Sequence, residues 1–287
     1  MALLPYTLID PTGEPSPFII GSPHSGRIYP ADFDYACPLP LLRQAEDAYV
    51  DELVTGASQA GATVVMAEFP RSMIDVNRAE TDIDPAAIDG AWPVPLAPDA
   101  MTLRGFGLVR RLCRNGVLLY RAPLKAAEAM RRIETYYRPY HEGLRSLVQM
   151  RLAQQGVCYL LDMHSMSDRF ENGISRPDFV LGDRDGTSCD PAFTRRVQRI
   201  LQDMGYRVVL NDPYKGREIM RRYGATGAPG TGGAQALQIE INRKLYLDEI
   251  NIEKSSGFAR LREDLTEFFR LVSASVVTDS AAQLAAE

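Results

Sequence analysis

One stretch constrains the fold most: Val157-Cys158-Tyr159-Leu160-Leu161-Asp162-Met163-His164-Ser165. It is a short apolar run with the length and composition of a buried strand, and it ends in polar residues able to do chemistry. In an α/β protein, ligands bind at the carboxyl ends of central strands. The chain holds only three histidines. A histidine at such a strand end is therefore the first residue to examine for function.

The same pattern recurs upstream. Phe18-Ile19-Ile20 reads as a strand entering Ser22-Pro23-His24-Ser25-Gly26-Arg27, so a second histidine follows an apolar strand. Further strands are expected at residues 63–67, 179–183, 207–210 and 236–243, with an edge strand in the first ten residues. Asn115-Gly116 is a turn signal ahead of residues 117–120, which suggests a hairpin. Helices are expected over residues 41–60, 124–155 with a break near Pro139, 191–204 and 257–271, and the last dozen residues should fray. Strands alternating with helices imply an α/β fold: a single domain over residues 1–287, with a central mixed, largely parallel sheet flanked by helices.

Two stretches fit no regular element. Residues 79–100 are acidic and rich in Pro and Ala, and a loop of that length suits a lid. Residues 224–233 carry five glycines. They lack the Gly-Lys-Ser/Thr of a phosphate loop and lead into a strand rather than a helix, so a wall of a binding cavity is the better reading.

Composition narrows the partners. A formal net charge of -5 gives no basic footprint for nucleic acid, while local arginines in an acidic chain suit a small anion. Four cysteines without a CxxC pair read as reduced thiols. No apolar run reaches the length of a membrane span, and Met-Ala-Leu-Leu-Pro-Tyr is no secretory signal, so a cytoplasmic protein is expected. A homo-oligomer remains allowed.

Two histidines at strand ends with one carboxylate can hold zinc and leave a position for water. Asp47 and Glu46, on the expected helix over residues 41–60, are acids of the kind such a site needs. Glu240 sits on a strand where Gln238, Glu240 and Asn242 alternate with apolar residues, and it suits the general base. Arg71 and Arg78 flank a short β-prone core, and their guanidinium forks suit carboxylates. His141, just past Pro139, reads either as a packing residue or as a substrate contact. These residue types favour a metal-assisted hydrolase over a non-catalytic anion-binding protein. Ser165 makes a poor dyad with His164, because successive strand residues face opposite ways.

Several blocks occur in order: His24-Ser25-Gly26-Arg27 with Tyr29-Pro30, Pro70-Arg71 with Asp75-Val76-Asn77-Arg78, Tyr140-His141, Leu161-Asp162-Met163-His164-Ser165, and Gln238-Ile239-Glu240-Ile241-Asn242-Arg243. Together they resemble the N-formylglutamate amidohydrolase family, over residues 16 to 270. That family is similar in fold to the zinc-dependent carboxypeptidases and hydrolyses N-formyl-L-glutamate to formate and glutamate in histidine degradation. The resemblance implies Zn2+ on His24 and His164, Glu240 as general base, Arg71 facing the oxyanion, and Asn77 with Arg78 clamping the substrate α-carboxylate. For the side-chain carboxylate, Arg217, Lys215 and Arg243 compete. The pattern departs at Arg27, where the carboxypeptidases carry a glutamate ligand. Asp47 is then the expected third ligand, with Glu46 and Asp162 as rivals. A related enzyme for another N-acyl amino acid would lack a cation on the far wall of its cavity.

Overall fold

The computed structural model describes residues 5–113, 116–169, 173–224 and 234–284. The expected Asn115 turn residue and most of the glycine-rich stretch lie outside these. Seven strands form one sheet, numbered here in chain order: β1 (Tyr6–Ile9), β2 (Phe18–Ser22), β3 (Thr63–Ala67), β4 (Cys158–Met166), β5 (Phe179–Gly182), β6 (Val208–Leu210) and β7 (Ala234–Asn242). Their spatial order is β1-β3-β2-β4-β7-β5-β6. The four central strands β3, β2, β4 and β7 run parallel, whereas β1 on β3 and β5 on β7 are antiparallel. The sheet is thus mixed and largely parallel at its centre, as expected.

Alternation along β4 divides the core. Leu161 and Met163 pack with Leu237, Ile239 and the helices Pro191–Asp203 and Phe258–Leu284. Leu160 faces the other way, with Ile19, Val65 and Ala236, against Tyr137, Tyr140, Leu144 and Val148. Asp162 and His164 continue the Leu160 face, because side chains alternate with period two. In register on β7, Gln238 opposes Asp162 and Glu240 opposes His164. Toward its carboxyl end this face therefore changes from apolar to polar, and there it meets the cavity.

Two expected helices differ. The 124–155 helix is a two-residue strand (Leu124–Lys125), then Ala126–Arg132, a π turn over Ile133–Tyr137 and Arg138–Gln155. Pro139 stands at the start of the last segment, where its missing N–H is tolerated. Residues 41–60 are not one helix but Leu39–Arg43, Val50–Leu53 and a 3-10 turn over Thr55–Ala60. Between the first two, Asp47 N–H donates to the His24 carbonyl at 2.9 Å, and Tyr49 adopts a left-handed φ of 63°. Arg243 takes the carbonyls of Gln44 and Glu46. Those long-range bonds replace helical ones. The terminal helix runs from Phe258 to Leu284, past the expected end at residue 271.

Candidate functional site

The chain passes from β2 to β3 on one side of the sheet and later places β4 on the other side of β2. Such a reversal opens a crevice at the carboxyl ends of the strands. His24 lies just past β2, and His164 lies near the end of β4. Their rings are 4.7 Å apart between centroids. The loop from β2 is held close to its neighbour: a Cβ on Gly26 would stand 2.2 Å from the Phe69 carbonyl oxygen, so only glycine fits there.

His24, Asp47 and His164 each offer an atom to one cluster, all within 4.8 Å of one another. All three are buried, at 1%, 1% and 3% exposure. Asp47 Oδ2 lies 3.0 Å from His164 Nδ1 and 3.5 Å from His24 Nδ1. On their far sides, His24 Nε2 meets Asp75 Oδ1 at 2.7 Å and His164 Nε2 meets Asp162 Oδ2 at 2.8 Å. Each Nε2 thus faces a carboxylate, and each Nδ1 turns toward Asp47. A carboxylate behind a ligating histidine fixes its tautomer and raises its basicity. His24 Nδ1 is buried without a hydrogen-bond partner. Convergent imidazole and carboxylate donors, with that orphaned nitrogen, fit a divalent cation with an open fourth position.

The local charges bind the cluster together. Burial alone would lower the His164 pKa, but Asp162 and Asp47 outweigh it and push it well above the usual imidazole range. Burial alone would raise Asp47, yet the two histidines and Arg71 hold it well below the usual carboxylate range. Asp75 is likewise held low against its burial by Arg71, His24 and Arg110.

A cavity of about 590 Å³ opens over this cluster. His24, Arg71, Asn77, Arg78, His164 and Glu240 line it. Glu240 accepts a hydrogen bond from Gln238 Nε2 at 2.9 Å. Burial, opposed by His164 and reinforced by Asp47, pushes its pKa up to about 7. Arg71 is paired to Asp75 at 2.8 Å, with Nη1 3.9 Å from Asp47. Arg78 Nη1 meets Asp82 at 3.1 Å and Asp99 at 3.0 Å, while its Nε is buried without a partner. The Asn77 amide donates to Gln238 and accepts from Ile219 N–H, tying the loop to the helix Glu218–Tyr223. Arg184, Lys215, Arg217 and Arg221 also line the cavity, and Arg217 shares Asp99 with Arg78. From the 79–100 stretch, Ala79 precedes Asp82 and Ala97 on the lining.

Two expected substrate contacts lie elsewhere. His141 is buried, with Nε2 on the Val76 carbonyl at 2.9 Å and Nδ1 2.9 Å from the Tyr223 hydroxyl. Burial, with the Arg222 charge, depresses its pKa to about 3. Arg243 does not line the cavity but binds Ser165, Asp47 and the Glu46 carbonyl. Among the rivals for third ligand, Asp162 stands behind His164, and Glu46 instead accepts from the Tyr29 hydroxyl at 2.5 Å. Asp75 and Gln238 escaped notice, although both stand in the quoted motif blocks. Sequence spacing gave no sign of which atoms they face.

Fold and cluster together define a class: a mixed α/β protein with a candidate divalent-metal centre at the carboxyl ends of its parallel strands. The comparisons are more particular. The family model for N-formylglutamate amidohydrolase matches residues 16–247. The N-formylglutamate deformylase of Pseudomonas putida is 31% identical over 239 residues, covering 81% of this chain and 82% of that protein. The Pseudomonas aeruginosa enzyme of the same name is 30% identical, covering 89% of each. The crystal structure of N-formylglutamate amidohydrolase from Ralstonia eutropha superposes with a TM-score of 0.91 at 40% identity, covering 96% of this chain and all (100%) of that one. A gene product of Agrobacterium tumefaciens shares the fold at a TM-score of 0.64 and 16% identity, covering 94% of this chain and 95% of its own. The chain belongs to the N-formylglutamate amidohydrolase family.

Proposed function

We propose that this protein hydrolyses the N-formyl amide of N-formyl-L-glutamate to formate and L-glutamate, acting as one catalytic domain of the zinc-exopeptidase kind. His24, Asp47 and His164 would hold a divalent ion, zinc being the ion this donor set suits best. When bound, such an ion polarises a carbonyl and acidifies water. Glu240 accepts the proton of the attacking water and delivers it to the departing amine nitrogen. A carboxyl near pH 7 suits both halves of that transfer. Arg71 faces the developing oxyanion, and Arg78, with its unpartnered Nε, takes the α-carboxylate. Asn77 holds Gln238, and Gln238 orients Glu240.

One observation carries the reading: a single cavity brings the His–Asp–His cluster and Glu240 together with several arginines and a lysine. A dianionic N-acyl amino acid needs a cation for each of its two carboxylates. A substrate with an apolar side chain would leave Arg184, Lys215, Arg217 and Arg221 without a role.

Formate release from a panel of N-formyl amino acids tests the proposal. N-formylglutamate should exceed N-formylleucine in kcat/KM by at least about 100-fold, the scale set by a lost charged contact. Chelation should abolish turnover and added zinc restore it. Equal rates across the panel would sink the substrate assignment.

A further inference from the structure

Asp47 sits in an irregular segment between two short helices, where no regular hydrogen bonding fixes its side chain. Its carboxylate is nevertheless divided between two duties. Oδ2 faces the Nδ1 atoms of His164 and His24 at 3.0 and 3.5 Å. Oδ1 accepts from Arg243 Nη2 and from the Ser165 hydroxyl, each at 3.3 Å.

Arg243 begins the 3-10 turn that follows β7, and it is 6% exposed. Its fork reaches further than Asp47. Nη2 donates to the Glu46 carbonyl at 2.5 Å, Nη1 to the Gln44 carbonyl at 3.3 Å, and Nε to Ser165 Oγ at 2.9 Å. Ser165 directly follows His164 on β4. One guanidinium therefore binds the backbone just before Asp47, the carboxylate itself, and the neighbour of a histidine in the cluster.

We infer that Arg243 is a positioning residue for the metal centre: it occupies one oxygen of Asp47 and fixes the segment that carries it, so that the other oxygen faces the two histidines. The inference rests on the metal reading above. A carboxylate free to rotate must be ordered when an ion binds, and that ordering weakens affinity. A carboxylate already held needs no such step. Lysine could supply the charge, but a single ammonium cannot address acceptors spread across a planar fork.

The test is zinc affinity, measured by chelator competition on metal-stripped wild type, Arg243→Met and Arg243→Lys, with the thermal midpoint of each stripped protein. Arg243→Met should weaken zinc binding by about 10- to 100-fold, the range for residues that orient a ligand. Arg243→Lys should fall between, roughly threefold or more below wild type. A merely structural arginine would lower the midpoint and leave affinity alone. A folded Arg243→Met that binds zinc within about twofold of wild type overturns the inference. Should Arg243→Met fail to fold, Arg243→Lys decides, and wild-type affinity there overturns it. A wild type that takes up no zinc overturns the metal reading itself, which separates the two failures.

Discussion

The two ends of the cavity are built on opposite principles. At the inner end, His24, Asp47 and His164 are 1–3% exposed, and each has a buried partner behind it: Asp75, Arg243 and Asp162. At the outer end, the side chains of Lys215, Arg217 and Arg221 are 58%, 43% and 57% exposed, and each pairs with an acid, Asp185, Asp99 or Glu218. Buried charges need their partners, because an unpaired one costs several kcal/mol, about 3–5 for a broken buried pair. Exposed pairs contribute about 0–1 kcal/mol and exchange partners cheaply. The inner end is thus fixed before a substrate arrives. The outer end can release the exposed Asp185 and turn to an incoming carboxylate, whereas the buried Glu218 stays paired with Arg222.

That contrast can be broken at either end. Glu240→Gln should have the largest effect, a fall in kcat of roughly 100- to 10,000-fold with metal content unchanged. A variant that retained a tenth of wild-type turnover would remove Glu240 from the proton transfer. Arg217→Ala should act more mildly and on a different constant. KM for N-formylglutamate should rise about tenfold while kcat stays within about threefold, the signature of a contact equal in ground and transition states. A fall in kcat instead would place Arg217 with the chemistry and dissolve the distinction between the two ends.

Much of the fold was legible because its central strands are short apolar runs bounded by turns, and the two strand-end histidines follow from that alone. Their carboxylate was harder. Only its type and its nearness in sequence point to Asp47, on an expected helix that the structure divides. The division is caused by His24 and Arg243, the second of them on the far side of the sheet in sequence terms, so no local pattern could reveal it. Arg243 itself was read as a substrate cation for the same reason: a basic residue at a strand end looks alike whether it faces a cavity or a carboxylate behind it. Of the two readings open for His141, packing is the one the structure favours. Its neighbours in sequence are tyrosines and a proline, but what fixes it is Val76 and Tyr223, while burial and the Arg222 charge keep it neutral. Asp75 lay in plain view between Arg71 and Asn77, and only the fold discloses that it backs His24.

The central claim is that two strand-end histidines and Asp47 hold one metal ion. Metal content per chain, measured by mass spectrometry on purified wild type and on His164→Ala with its fold verified by circular dichroism, tests it most directly. The account predicts about one divalent ion per wild-type chain and less than about a tenth of that in the variant, since two remaining ligands hold zinc poorly. Equal metal content in the two proteins would contradict it.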